Sequence, residues 1–239
     1  MTQASGTLYG IGVGPGDPDL LTIKAVKILN QVDVVFTASS TKNEYSLARN
    51  IASPHLKAGT NLENLEFPMT EEKGALNAAW RANAEKVADV LKSGRSAAFL
   101  TLGDCLTYST YSYLLNSLAE VYPEFQAKSV PGISSYQLAA SKLNRSLCLH
   151  REALTVISGT DDHESLSRLL DLSENVVIMK SYRGSERVAE LVRAKGLARK
   201  TAVCCNLGLP DEFIIDGIEA PLPEKISYFT LFLVNKNKI

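Results

Sequence analysis

Three short glycine-bearing stretches hold the residues whose types and spacing suit chemistry. The first is Gly10-Ile-Gly12-Val-Gly14-Pro15-Gly16-Asp17-Pro18, directly after an apolar run. The second is Gly103-Asp104-Cys105-Leu106-Thr107-Tyr108-Ser109-Thr110, and the third is Pro131-Gly132-Ile133-Ser134-Ser135. Glycine allows close approach to the backbone, and the hydroxyls that follow can bond a ligand or cap a helix. The first stretch invites comparison with the dinucleotide fingerprint, which needs GxGxxG opening into a helix that meets a pyrophosphate. Counted from Gly12, the third glycine position is Asp17, whose charge repels a pyrophosphate. Pro15 and Pro18 remove N–H donors from the turn, and the next apolar run ends Phe36-Thr-Ala-Ser-Ser without the acid that would hold a ribose. No GK[ST] follows, so a P-loop is excluded. Taken singly, each stretch reads equally as a tight turn or as a ligand-facing loop. Three such loops, each after a strand pattern, favour a ligand.

Metal chemistry has no comparable support. Cys105, Cys148, Cys204 and Cys205 show no CxxC spacing, and His55, His150 and His163 are scattered. Reduced thiols and no protein-held metal are expected.

The elements that must position these loops alternate between strand and helix patterns. Strands are expected at Thr7–Val13, Val32–Ala38, Ser96–Thr101, Gln126–Val130, Ala153–Ser158, Asn175–Lys180 and Lys200–Cys205, with further strand patterns at Phe213–Gly217 and Tyr228–Val234. Helical periodicity covers Leu20–Gln31 behind an Asp19 cap, Ala75–Lys92, Tyr108–Val121, Ser134–Lys142, Glu164–Leu170 and Glu186–Lys195. Residues 60–74 read as a polar loop. The alternation predicts an α/β fold with mainly parallel sheets and added antiparallel strands near the C-terminus. The break at Tyr122-Pro-Glu-Phe-Gln predicts two α/β domains, 1–121 and 122–239. The second and third glycine loops then follow strand carboxyl ends, where open α/β sheets bind ligands.

The chain has 239 residues, with 25 Lys and Arg against 26 Asp and Glu and a formal net charge of -1. That balance argues against a nucleic-acid partner, which calls for a basic excess. The longest apolar stretches are strand-sized, so no membrane span is expected. Met1–Gly6 lacks the basic and apolar regions of a secretory leader, so a cytoplasmic protein is expected.

The motifs in order resemble the tetrapyrrole (corrin and porphyrin) methyltransferase family along nearly the whole chain. They are Gly12-Val-Gly-Pro-Gly-Asp17, Leu21-Thr-Ile-Lys-Ala25, Asp33-Val-Val35, Gly103-Asp104 and Pro131-Gly-Ile-Ser-Ser135. The stretch Gly103–Tyr111 is most similar to the branch that methylates precorrin-2 or cobalt-factor II at carbon 20 in cobalamin synthesis. Many relatives have Asp-Pro where this chain has Asp104-Cys105. The resemblance implies S-adenosylmethionine as methyl donor, a donor cleft between the two domains, a tetrapyrrole acceptor and a homodimer. It places the donor at Pro15, Gly103, Asp104, Leu106, Ser109, Thr110, and Ser134 or Ser135. Later contacts fall at Met179, Lys180, Asn206, Leu207, Tyr228 and Thr230.

Methyl transfer at a sulfonium carbon asks mainly for positioning. Backbone carbonyls of glycine loops suit the sulfonium charge. The acceptor's meso carbon must then lose a proton, and Asp104 is the first candidate base, with Tyr108 second. A carboxylate-rich acceptor calls for local cations, and arginine's planar fork binds carboxylates bidentately. Arg151, Lys180 and Arg183 are the candidates, while Arg187 and Lys24 read as solvated helix residues. Precorrin-2 and cobalt-factor II both stay open as acceptors, because the macrocycle itself holds the metal. A different ring carbon within the same family, and a non-catalytic tetrapyrrole carrier, are the alternatives.

Overall fold

The computed structural model describes residues 5–40, 46–68, 70, 72–159 and 162–237. The chain divides into two compact units, Met1–Ser134 and Ser135–Ile239.

The first unit contains β1 (Thr7–Gly12), α1 (Ile23–Leu29), β2 (Val34–Ser40), α2 (Leu47–Ala52), β3 (Asn61–Phe67), α3 (Lys73–Lys92), β4 (Ala97–Thr101), α4 (Thr110–Val121) and β5 (Gln126–Val130). The five strands form one sheet in the order β3-β2-β4-β1-β5. Every pairing in it is parallel. Both faces are covered, so the central strands are near-continuous apolar runs, as in β4 (Ala97-Ala-Phe-Leu-Thr101), all of it buried. Successive side chains alternate between two cores. Val34, Phe36, Ala97 and Phe99 pack with residues of α3 and α4. Val35, Ala98 and Leu100 pack on the opposite face with Ala25 and Leu29 of α1 and Ile51 of α2.

The second unit contains α5 (Ser135–Leu143), β6 (Leu154–Ser158), α6 (His163–Leu172), β7 (Asn175–Met179), α7 (Ser185–Ala194), β8 (Thr201–Cys205), β9 (Phe213–Asp216) and β10 (Thr230–Asn235). Its sheet runs β6-β7-β10-β8-β9. Only β6 and β7 pair in parallel; β10 enters antiparallel between β7 and β8, and β9 pairs antiparallel with β8. Leu166, Leu170, Val188, Ala189 and Val192 of α6 and α7 cover Val176, Ile178, Val203, Phe232 and Val234.

Four expectations change. The break expected at 121/122 falls between α4 and β5, inside the first unit. The reason is β5, which pairs with β1 through the register Thr7↔Gln126 to Ile11↔Val130. The second sheet is mainly antiparallel. Residues 61–67, expected as loop, form β3, an edge strand in which Leu65 alone is buried, so its acids face water and mask the strand pattern. The first helix is capped by the Thr22 hydroxyl, which accepts from the Ala25 N–H at 3.1 Å. Asp17, not Asp19, caps the preceding turn, accepting from the Asp19 N–H at 2.9 Å.

Cys105, Cys204 and Cys205 are buried and Cys148 is exposed. Burial, with the neighbouring Cys205, pushes the Cys204 thiol up to about 12. No group of metal-ligating side chains forms among the described residues.

Candidate active site

The strand order β4-β1-β5 explains why three loops far apart in sequence meet. All three strands are parallel, so the loops that leave them emerge side by side at one edge. Gly14 and Gly103 exchange backbone hydrogen bonds, Gly103 N–H to Gly14 O at 2.8 Å and Gly14 N–H to Gly103 O at 3.2 Å. Gly132 closes the junction. A Cβ placed there would lie 2.2 Å from the Gly103 carbonyl oxygen and 2.7 Å from the Gly12 carbonyl. A Cβ on Gly12 would meet the Gly103 oxygen and the Gly132 nitrogen, each at 2.6 Å. Backbone surrounds these positions, so only glycine fits.

Asp104 braces the same junction. Its Oδ1 accepts from the Leu106 N–H at 2.9 Å and the Thr107 hydroxyl at 3.1 Å. Its Oδ2 accepts from the Gly132 N–H at 3.1 Å, tying the β4 loop to the β5 loop. Both carboxylate oxygens therefore serve the protein's own backbone and loop. These bonds hold the β4 loop to the β5 loop at the residue expected as the first candidate base. Ser109 is likewise used internally, as the cap of α4, accepting from the Tyr111 N–H at 3.1 Å. Tyr108 has φ +50, a conformation disfavoured for an aromatic residue, so α4 starts after it at Thr110. Leu106 and Tyr108 are exposed on this loop, while Pro15 and Ser134 are buried.

Beneath the loops lies Tyr111, which the sequence reading passed over. A Cβ on Gly10 would lie 2.3 Å from its ring, and the ring also faces Phe99 with centroids 6.2 Å apart. Burial pushes the Tyr111 hydroxyl pKa up. Cys105 sits in the same core, its thiol donating to the Val130 carbonyl at 3.4 Å. The signal that could have found Tyr111 is Gly10, a glycine inside a strand pattern, which marks the close approach of another group.

In the second unit, the carboxyl ends of β6, β7 and β8 share an edge with the amino end of β10. Met179, Lys180, Asn206, Leu207, Tyr228 and Thr230 all lie there. Lys180 and Asn206 have φ +55 and +53, so the strands end in strained turns, which cluster at ligand sites. The Asn206 N–H donates to the Phe229 carbonyl at 3.0 Å and the Ser181 N–H to the Thr230 carbonyl at 3.2 Å. Leu207 and the Thr230 side chain are buried, and the Thr230 hydroxyl donates to the Ser227 carbonyl at 2.6 Å. Desolvation holds the Lys180 ammonium below its ordinary pKa. Arg183 lies over the Tyr182 ring at 5.4 Å. Arg151, expected with Lys180 and Arg183, precedes β6 and so lies at the opposite edge of this sheet. Ser135 opens α5.

Residues 7–222 match the family of Tetrapyrrole (Corrin/Porphyrin) Methylases. The cobalt-precorrin-2 C(20)-methyltransferase of Salmonella typhimurium is 30% identical over 237 residues, 97% of each chain. The precorrin-2 C(20)-methyltransferase of a Sinorhizobium species is 32% identical over 240 residues, covering 96% of this chain and 95% of that one. Among solved structures, the methyltransferase CobJ superposes with a TM-score of 0.71 at 18% identity, over 98% of this chain and 95% of its own. A uroporphyrin-III C-methyl transferase from Thermus thermophilus, complexed with S-adenosyl homocysteine, does so at 0.65 and 17%, over 97% and 98%. The chain belongs to the tetrapyrrole (corrin/porphyrin) methylase family.

Proposed function

We propose that this chain is an S-adenosylmethionine-dependent methyltransferase that methylates carbon 20 of precorrin-2 or of its cobalt form in cobalamin synthesis. One observation carries the reading. The junction of Gly12, Gly103 and Gly132 forms at adjacent strand ends, in a chain whose near-full-length relatives are named C(20)-methyltransferases. By the same family likeness, the protein is read as a cytoplasmic homodimer. No helix among the described residues is long and apolar enough to cross a membrane.

The residues present fit the donor. Loops on which a Cβ would collide bring bare backbone to the edge of the sheet, and backbone carbonyls suit a cationic centre without an ion pair. When bound, S-adenosylmethionine supplies a methyl group on an electrophilic sulfonium carbon. The chain's own part is positioning, which makes a reaction between two bound partners effectively unimolecular. Asp104 holds the β4 and β5 loops in register. Pro15, Gly103, Asp104, Leu106, Ser109, Thr110, and Ser134 or Ser135 are the proposed donor contacts of the first three loops, with Met179, Lys180, Asn206, Leu207, Tyr228 and Thr230 from the second unit. Lys180 and Arg183 are the proposed partners of the acceptor's carboxylates. Tyr108, exposed on the braced loop, is the chain's candidate for moving the proton that leaves carbon 20.

Incubating the purified protein with labelled S-adenosylmethionine and each acceptor in turn tests this. One transferred methyl, located at carbon 20 by mass spectrometry and NMR, is expected. Comparing the cobalt-containing and metal-free acceptors identifies the preferred one. Failure to bind S-adenosylhomocysteine by calorimetry overturns the reading.

A further inference from the structure

The turn that leaves β8 is held against its own backbone preference. Asn206, Gly208 and Asp211 have φ of +53, +73 and +62. The left-handed region costs energy for a residue that carries a side chain, and such a conformation persists only where its surroundings impose it. Inside the turn, the Leu209 N–H donates to the Asn206 carbonyl at 2.9 Å, and the Asn206 side-chain N–H donates to the Asp211 carbonyl at 3.3 Å. Two residues outside the turn add to this.

Ser227 holds one side. Its hydroxyl donates to Asn206 Oδ1 at 2.5 Å and accepts from the Phe229 N–H at 3.2 Å. Its carbonyl accepts from the Thr230 hydroxyl. One residue thus joins the turn to the segment that enters β10. Glu212, half-buried, holds the other side. Its Oε2 accepts from the Gly208 N–H at 2.6 Å, and its Oε1 pairs with Lys142 Nζ of α5 at 2.9 Å. Hydrogen bonds to an ionised acceptor are the stronger kind. Asn206 and Leu207 stand between these two braces. Both polar atoms of the Asn206 side chain are engaged by the protein, so what the turn offers a ligand depends on how its backbone is held.

We propose that Ser227 and Glu212 are positioning residues for the methyl donor, holding Asn206 and Leu207 in the shape the donor meets. This deepens the reading above and rests on it. A turn released from either brace must be re-formed on binding, and apparent affinity falls with the fraction of molecules already in the competent shape.

S-adenosylhomocysteine affinity is measured by calorimetry, with KM for S-adenosylmethionine, KM for the acceptor, kcat and the thermal midpoint on the same preparations. Ser227→Ala should weaken S-adenosylhomocysteine binding and raise the donor KM by about three- to tenfold, and Glu212→Ala by about tenfold or more. Acceptor KM, and kcat at saturating donor, should stay within about twofold of native. Ser227→Thr keeps the hydroxyl and Glu212→Gln keeps an acceptor for the Gly208 N–H, so each should restore most of the affinity. Asp216→Asn is the control. It cuts the ion pair to Arg145 at the far end of β9, where Asp216 lies opposite Ala202, and should lower the thermal midpoint without weakening donor binding. If Glu212→Ala does not fold, Ser227→Ala decides. Native S-adenosylhomocysteine affinity in the alanine variants overturns the braces and leaves the methyltransferase reading standing. Donor and acceptor binding that fall together with the thermal midpoint also overturn them, by reducing both residues to general support of the fold. A native protein that binds no S-adenosylhomocysteine overturns the braces together with the reading beneath them.

Discussion

At the scale of single residues, Asp104 separates what is legible in sequence from what is not. Its place in a Gly-Asp loop after a strand marked it as functional, and the structure puts it at the junction of two candidate donor loops. Its bonds to Leu106 and Thr107 are local, but the one to Gly132 was not legible, because it depends on β4 and β5 flanking the same strand. A brace and a base predict different kinetics. Asp104→Ala should weaken S-adenosylhomocysteine binding by about tenfold or more, since each bond to a charged acceptor is worth on the order of 1.5–3 kcal/mol. The pH profile of kcat should keep its wild-type shape. A base would instead take one limb of that profile with it. Arg151 was named for its residue type, and the parallel pairing of β6 with β7 puts it at the edge of the second sheet opposite Lys180.

Among elements, the strands that approach one another at the site were the easiest to read. β1, β4 and β5 are short apolar or mixed runs ended by Gly or Pro, and their loops carry the motifs. β3 was missed because it is an edge strand whose acids and asparagines interrupt the apolar pattern that Leu62, Leu65 and Phe67 make against the two cores. The order β10 between β7 and β8 was beyond local pattern, since it is set by which strand buries which face over long sequence separations. The glycine junction makes an element-scale prediction. Gly132→Ala puts a Cβ against backbone from two other loops, which cannot yield as a side-chain tip can. It should cost about 1–3 kcal/mol in denaturant melts and abolish S-adenosylhomocysteine binding. Gly59→Ala is the control. Its φ of +80 is left-handed and nothing lies within 4 Å, so backbone strain alone should cost about 1 kcal/mol and leave binding intact.

On the scale of the whole molecule, the near-neutral charge conceals an uneven distribution of acid-sensitive groups. Glu152 is held below its ordinary pKa by the Asn237 amide and the Leu149 N–H, and Asp162 by the Ser165 hydroxyl and N–H. Glu174 is lowered by the Ala153 N–H and Glu186 by Arg193. At Glu212, desolvation pushes upward but is outweighed by the Gly208 N–H and Lys142. All five lie in the second unit. A carboxyl whose folded pKa is depressed stabilises the fold above its unfolded pKa and loses that contribution as pH falls through the folded value. The second unit should therefore loosen first below about pH 4. Hydrogen exchange followed during acidification should show amides of β6–β10 losing protection before those of β1, β4 and β5, and simultaneous loss would refute this. Composition made the overall balance of charge plain but gave no hint of this asymmetry, which arises from hydrogen bonds formed only on folding. The burial of three thiols has a practical consequence for following such events. With Cys105, Cys204 and Cys205 shielded, a thiol-reactive dye offered to the native protein finds Cys148, and so reports from the second unit without any engineered cysteine.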